Sequence, residues 1–383
     1  MNKISPVGLN RFDAALYEVG DEVQDPQGIL VRSAKLLDME FNPSLLAIAR
    51  AGVGVNNIPL DRCAAAGIPV FSTPGANANA VKELVVCAML MGSRDIPGAI
   101  RWVREQAASG VEVATVVEKG KSAFVGPELY KKTLGIIGLG AIGSIVANTA
   151  ISLGMDVYGY DPFLSVDTAL RLDRHVHVVK DINDLYKRAD YVTLHIHYTG
   201  KTAHMIDADA IAAMKRGVRV INLARGEIVD DEAILAALDT GKVAVYVTDF
   251  PNNRLLTAPH VIAMPHLGAS TPESEQNCAA MAVDELTDYL ENGNIRRSVN
   301  LPDMVMDRSG VERLCILHKN VPGMLANITS LFGRDGVNVE NLSNKSRGEY
   351  AYTMVDLGTK VAERVIEDVQ HMANVIRVRV LEW

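Results

Sequence analysis

Residues 133–143 read Thr-Leu-Gly-Ile-Ile-Gly-Leu-Gly-Ala-Ile-Gly, a short apolar run leading straight into a G-x-G-x-x-G pattern at Gly138, Gly140 and Gly143. The run predicts a β-strand, and the residues from Ala141 and Ile142 onward carry an apolar helical period. Glycines at this spacing let the chain turn tightly and bring its backbone against a pyrophosphate, while the helix N-terminus offers N–H donors. The pattern alone is a weak signal, because a plain tight turn uses glycine as well. Its flanks add to it. The next apolar run, Met155 to Tyr160, ends on Asp161, at about the 20-residue spacing expected of a ribose-binding acid. A carboxylate there accepts from a ribose 2′-OH and repels a 2′-phosphate by about 4 kcal/mol at 4 Å and an effective dielectric of about 20. The stretch therefore predicts a Rossmann-type doubly wound parallel sheet that takes NAD rather than NADP; the plainer reading of Asp161 is a turn cap before Pro162.

The same alternation of short apolar runs and helical periods fills the chain to about residue 270, as repeated βα units do. Earlier runs end on Arg32, on Arg50 and, beyond Phe71, on Asn77, and ligands of open α/β sheets sit at the carboxyl ends of strands. The pattern weakens over 95–130. After Thr271 and Pro272 a long helix is expected, closing at Asn292-Gly293-Asn294, and the stretch to Gly310 reads as a linker. The remainder has its own order, βαββαβ in about 70 residues, which is ferredoxin-like.

At 383 residues, 48% of them hydrophobic, with a net charge of −8, the chain has the composition of a multidomain globular protein. The acidic balance argues against a nucleic-acid or anionic-membrane partner. No apolar run reaches the roughly 20 residues of a membrane span and the start lacks a signal-peptide core, so a cytoplasmic protein is expected. The four cysteines, Cys63, Cys87, Cys278 and Cys315, are scattered; they read as buried free thiols, with no metal or disulfide framework.

Three further strand ends bring chemistry together: Asn222-Leu223-Ala224-Arg225-Gly226, Asp249, and Pro265-His266-Leu267-Gly268. Hydride transfer from a 2-hydroxy acid needs a cation for the carboxylate and a base for the hydroxyl proton. An arginine fork suits the first and an imidazole, titrating near neutrality, the second. A surface arginine and a structural histidine are the alternatives.

The blocks AGVGVNNIPLDRCAAAGIPVFSTPGANANAVKEL (51–84), GLGAIG (138–143), ADYVTLHIHYTGKTAHMID (189–207), INLARGEIVDDEAIL (221–235) and MPHLGAST (264–271) together resemble the D-2-hydroxy-acid dehydrogenase family over residues 1 to about 300. The resemblance implies a nucleotide-binding domain, 95–271, inserted into a flavodoxin-like substrate domain made of 1–94 and 272–305. It implies that Arg225 holds the substrate carboxylate and that His266 is the acid/base. It places Asp249 on the nicotinamide side, with Gly138, Gly140, Ala141, Ile142, Gly143, Asp161, Ala224 and Gly268 about the cofactor. Within the family, Arg32-Ser33-Ala34-Lys35 and Arg50-Ala51-Gly52-Val53-Gly54 are similar to the phosphoglycerate dehydrogenase branch. Arg32, Lys35, Arg50, Asn77 and the backbone at Gly52, Val53 and Gly54 are then the candidate contacts of 3-phosphoglycerate, although Lys35 reads equally as a solvated charge. The nearest alternatives are a glyoxylate/hydroxypyruvate or D-lactate type of reductase, and, from another class, a non-enzymatic NAD-sensing co-repressor.

Residues 311–383 resemble an ACT domain. His318, Asn320 and Asn338 are its candidate L-serine contacts, with turn-forming asparagines as the bland reading. The family also implies a homodimer or homotetramer. His195 and His197 share one strand face, but no third ligand follows at a metal-binding spacing, so His195 is placed near the cofactor and no metal is expected. One departure stands out: the family's histidine-orienting glutamate falls at Arg254, and no carboxylate occurs from Phe250 to Pro265.

Overall fold

The computed structural model describes residues 3–383. They form two units, one made of the residues up to Ala76 together with Pro272–Trp383, the other of Asn77–Thr271. The expected switch near residue 94 thus falls at Asn77. Val81, Val85, Ala88 and Met89, spaced along one face of the helix Ala78–Ser93, are buried in one cluster with Leu134, Ile136, Val146 and Val247 of the second unit. An apolar helix stripe must be covered, and it goes with the sheet that covers it.

In the first unit β1 (Gly28–Val31), β2 (Ala47–Arg50) and β3 (Val70–Phe71) run parallel in the order β1-β2-β3. This is fewer strands than the five-stranded flavodoxin order. Residues 11–27, with Asp13, Gly20, Asp21, Asp25 and Pro26, hold turns and no strand. Side chains fasten that segment to the helix Pro272–Asn292: Arg11 Nε donates to Asp284 at 2.6 Å and Tyr17 Oη to Glu291 at 2.9 Å.

The second unit is built on β4 (Thr133–Ile137), β5 (Asp156–Tyr160), β6 (His177–Val179), β7 (Tyr191–Leu194), β8 (Val218–Asn222), β9 (Val243–Thr248) and β10 (Val261–Ala263). They form one parallel sheet in the order β10-β9-β8-β7-β4-β5-β6. The order reverses between β4 and β7, and a crevice opens at the carboxyl ends of strands at such a switch point. All four residues of β7 are buried, as a strand covered on both faces requires. The weak stretch is two helices, Ile96–Ala108 and Val113–Gly120, neither with a buried residue.

The C-terminal strands β11 (Glu312–Lys319), β12 (Val339–Arg347), β13 (Tyr350–Leu357) and β14 (Val375–Glu382) make an antiparallel sheet in the order β12-β13-β11-β14. With the helices Met324–Arg334 and Glu363–Gln370 this is the expected βαββαβ fold. Leu314, Ile316, Ile328, Phe332, Val355 and Val365 fill the core between sheet and helices. The residues between them, Cys315, Leu317, Tyr352 and Met354, join Phe71, Ala282 and Tyr289 in the core of the rest of the first unit. The run Leu-Cys-Ile-Leu is apolar on both strand faces, so this sheet is covered on both sides.

The expected linker is accordingly clamped. Arg313 is fully buried and forks onto the equally buried Asp356, with Nη2 to Oδ2 at 2.7 Å. Its Nη1 donates to the carbonyls of Asn292, which ends the long helix, and Met306. Ser309 adds its N–H and hydroxyl to Asp356, and Ile295 and Met304 exchange both backbone bonds of an antiparallel bridge.

Candidate active site

The glycine turn is built as its spacing requires. Gly138 has φ +92°, where an L-residue is strained, and a Cβ there would meet the His195 carbonyl oxygen at 2.4 Å. A Cβ on Gly143 would meet the Gly138 oxygen at 1.8 Å, so only glycine lets the helix Ala141–Ser152 start so close to the strand. At Gly140 nothing lies within 4 Å of the position a Cβ would take. The loop is held tight on two sides and open on the third, which is the shape a pyrophosphate needs. Asp161 at the end of β5 reaches back to this turn: its Oδ2 accepts from Leu139 N at 2.9 Å and its Oδ1 from Phe163 N at 2.8 Å. A carboxylate has about four acceptor positions, so two remain for ribose hydroxyls.

His195 leaves β7 beside Gly138, donating its backbone N–H to Ile137 O at 2.7 Å. Its Nε2 lies 3.1 Å from Thr193 Oγ1, and burial pushes its pKa down to about 3. A neutral ring next to the glycine turn suits a cofactor wall. No group of three His, Cys, Asp or Glu able to hold a metal occurs among the described residues.

Beyond β8, Asn222 is buried and holds the following turn by accepting from Ala224 N at 3.1 Å and donating to Arg225 O at 2.8 Å. Arg225 is exposed, with one Nη donating to Ala224 O and its guanidinium 5.6 Å from the centroid of the Phe250 ring. The other neighbour of Phe250 is His266, with ring centroids 4.6 Å apart. One aromatic side chain therefore touches both candidate catalytic residues, although they stand on different strand ends. Asp249 is 1% exposed; its Oδ2 accepts from Gly268 N at 3.3 Å, while Oδ1 has no partner. Burial raises the Asp249 carboxyl above its ordinary value, opposed by the neighbouring His266 and by the Gly268 and Leu267 amides. Asn77 Oδ1 is likewise buried without a partner. Orphaned acceptors of this kind carry a desolvation cost of about 1–3 kcal/mol each unless a ligand satisfies them. A cofactor amide is a chemically suitable donor for them.

Arg254, in the place of the family's glutamate, pairs instead with Glu232 at 3.0 Å. No carboxylate hydrogen-bonds the His266 ring among the described residues.

In the first unit, Arg50 Nε donates to Arg32 O at 3.1 Å, and the Arg50 guanidinium lies over Gly52, whose φ is +143°. The Gly52 N–H is already used, donating to Thr73 Oγ1 at 2.8 Å and to Arg50 O at 2.9 Å. Of the expected amide cradle, the Val53 and Gly54 N–H groups have no backbone partner among the described residues. Lys35 is exposed and unpaired among the described residues. Arg32 is held by Glu275 at 2.6 Å.

The C-terminal candidates are less favourable. His318 is 2% exposed, and both its ring nitrogens are engaged, by Lys319 O and Thr353 Oγ1 at 2.8 Å each. No nitrogen is left for an effector. Asn320 Nδ2 donates to Gly348 O at 3.1 Å and Asn338 Nδ2 to Glu340 Oε1 at 2.9 Å, both at the surface.

Residues 86–268 match the model of the D-isomer specific 2-hydroxyacid dehydrogenase NAD-binding domain, and residues 314–377 that of the AHAS small subunit-like ACT domain. The D-3-phosphoglycerate dehydrogenase of Haemophilus influenzae is 32% identical over 95% of this chain and 88% of its own length. The chain belongs to the D-isomer specific 2-hydroxyacid dehydrogenase family. That of Methanocaldococcus jannaschii is 35% identical over 76% of this chain but only 55% of its own length; the chain spans about half the length of several curated relatives it matches. Among solved structures, the NAD+-bound 3-phosphoglycerate dehydrogenase of Entamoeba histolytica is 28% identical, with TM-score 0.56 over 72% of this chain and 82% of that one. The domain matched over residues 86–268 is an NAD-binding one, so NAD is its cofactor. The glycine turn, Asp161, His195, Arg225, Asp249 and His266 follow the ends of strands, where the sequence places them. Phe250 and Glu275 were not legible in the sequence: a phenylalanine after a strand reads as core, and a glutamate in a first helical turn reads as a dipole partner.

Proposed function

We propose that this protein oxidises D-3-phosphoglycerate to 3-phosphohydroxypyruvate with NAD, the entry step of the phosphorylated route to L-serine, in the cytoplasm. The observation that carries this reading is the Arg225–Phe250–His266 cluster at the carboxyl ends of β8, β9 and β10, a cation and an imidazole against one ring. The full-length match to the Haemophilus relative supports the choice of substrate. The glycine turn and Asp161 would hold the dinucleotide, whose nicotinamide would supply the hydride acceptor for the substrate C2. Arg225 holds the carboxylate and His266 takes the hydroxyl proton, so that the alcohol becomes a ketone as hydride and proton leave. Asp249 and Asn77 offer their orphaned oxygens to the cofactor amide or the substrate. The phosphate falls to Arg32 and Arg50.

A homo-oligomer, dimer or tetramer, fits the two helices over 96–120, on which no residue is buried although Ile96, Ile100, Val103 and Val117 are apolar. L-Serine as a feedback effector is consistent with the ACT fold, with Asn320 and Asn338 rather than His318 within its reach.

The test is NAD reduction by the purified chain with 3-phosphoglycerate, D-glycerate and D-lactate. Turnover of the phosphorylated acid alone is expected. Equal turnover of D-lactate points to a D-lactate type of enzyme, and no turnover of any acid, with NAD still bound, points to a sensor.

A further inference from the structure

Arg32 and Arg50 are the cations of the first unit placed to receive a phosphate, and Arg32 already carries an anion. Glu275 Oε1 lies 2.6 Å from Arg32 Nη2, and the two side chains are 45% and 43% exposed. Glu275 sits in the first turn of the helix Pro272–Asn292, which also carries Glu273 there. The rest of the guanidinium fork remains: five N–H donors, of which one edge faces Glu275. Arg32 O, at the base of the same residue, is tied to Arg50 Nε. Arg32 is thus fixed at its backbone by one charged neighbour and at its tip by another.

We propose that Glu275 is a specificity-determining counter-anion of the phosphate subsite. It holds the Arg32 guanidinium in place while the subsite is empty and gives way to the substrate's phosphate on binding. The inference rests on the function proposed above. Its physical content is an exchange of one anion for another at the same cation, so the phosphate gains Arg32 only by displacing Glu275 or by sharing it. Either route lowers affinity for a phosphate dianion relative to a subsite without Glu275. A 2-hydroxy acid with no phosphate makes no such exchange. An exposed pair of this kind reaches about 1 kcal/mol, a factor of about five.

The test is Glu275→Gln in the full chain, which keeps an oxygen for Arg32 and removes the charge. KM for 3-phosphoglycerate is expected to fall about fivefold with kcat little changed, and inorganic phosphate, as a competitive inhibitor, to tighten in parallel. KM for D-glycerate should not follow, and NAD affinity, set in the other unit, reports folding. A KM for 3-phosphoglycerate that rises, or stays level while phosphate inhibition is unaltered, overturns the exchange and leaves Glu275 as a strut for Arg32 or an idle surface charge. If wild type turns over D-glycerate and not 3-phosphoglycerate, and Arg32→Ala leaves phosphate inhibition unaltered, the substrate reading fails first and this one with it.

Discussion

Asp161 braces the glycine turn, and substitution can separate that job from the ribose contact proposed for it. Its Oδ1 and Oδ2 each accept a backbone N–H, from Phe163 and Leu139. Charge-assisted bonds of this type are worth about 1.5–3 kcal/mol each. Against a 2′-phosphate, the carboxylate costs about 4 kcal/mol per unit charge at 4 Å and an effective dielectric of about 20. Asp161 is only half-buried, and solvent screening brings this to roughly 1.5–2 kcal/mol, a factor of about ten to thirty. Asp161→Asn removes the charge and keeps one acceptor; Asp161→Gly removes both acceptors. The ratio of kcat/KM for NADP to that for NAD should therefore rise about ten- to thirtyfold in both variants, by the screened repulsion. Absolute kcat/KM for NAD should fall further in Asp161→Gly, because Leu139 N and Phe163 N lose their partners. A steady-state comparison of both cofactors settles it. A ratio that moves in the glycine variant alone would make Asp161 a turn brace and nothing more; a ratio unchanged in both would remove it from the ribose site.

Two further outcomes concern stability. Glu285 is 3% exposed in the long helix, with Oε2 unpartnered, and burial, opposed by Arg297, pushes its pKa from 4.5 to about 7. The raised folded value means the first unit is at full stability below about pH 4.5 in this respect and loses about 3 kcal/mol as pH rises through about 7. Urea titrations at pH 5 and 8.5 should show that difference in wild type and little of it in Glu285→Gln, and parallel pH profiles of the two proteins would refute it. Arg313→Met leaves the buried Asp356 carboxylate without its cation and with only the two Ser309 donors, which costs about 3–5 kcal/mol, whereas Arg313→Met with Asp356→Leu should recover most of it; a single variant that unfolds with wild type would show that the clamp is not a clamp.

The architecture was readable, and a candidate nucleotide site could be named, because their signals are local. A glycine turn, an acid one strand later and polar residues at apolar-run ends all sit within a few residues of the backbone geometry they serve. Three features were not readable, for three different reasons. The helix Ala78–Ser93 lies next in sequence to the first unit but belongs to the second, because the covering of its apolar face by Leu134 and Val247 is a fact about distant residues. The stretch 293–310 has the glycine, proline and charge of a linker, and is fixed by partners the local sequence does not show, among them Arg313 and Asp356, 43 residues apart. Glu285 stands on the buried face beside Leu286 and Tyr289, where helical period asks for an apolar residue. Its carboxylate is kept there by Arg297, which the same period cannot locate.

These features bear on how a C-terminal effector domain can act at all. A domain on a loose tether communicates only through collisions or through a partner chain. Here the sheet of β11–β14 presents one apolar face to its own helices and the other to Tyr289 and Ala282. Arg379 donates to the carbonyls of Tyr289 and Leu290, Tyr352 Oη to that of Gly293, and Arg313 to that of Asn292. Those carbonyls lie at the C-terminal end of one helix, where carbonyls lacking an intrahelical partner are normally left to water. The other end of that helix, about 30 Å away at 1.5 Å per residue, carries Glu275 and so the partner of Arg32. A shift of the sheet would bear on the helix directly through these bonds. Regulation by an amino acid, in the function proposed, therefore needs no flexible hinge: it needs the effector to favour one seating of this sheet over another, and the cation of the phosphate subsite lies at the far end of the same rigid element.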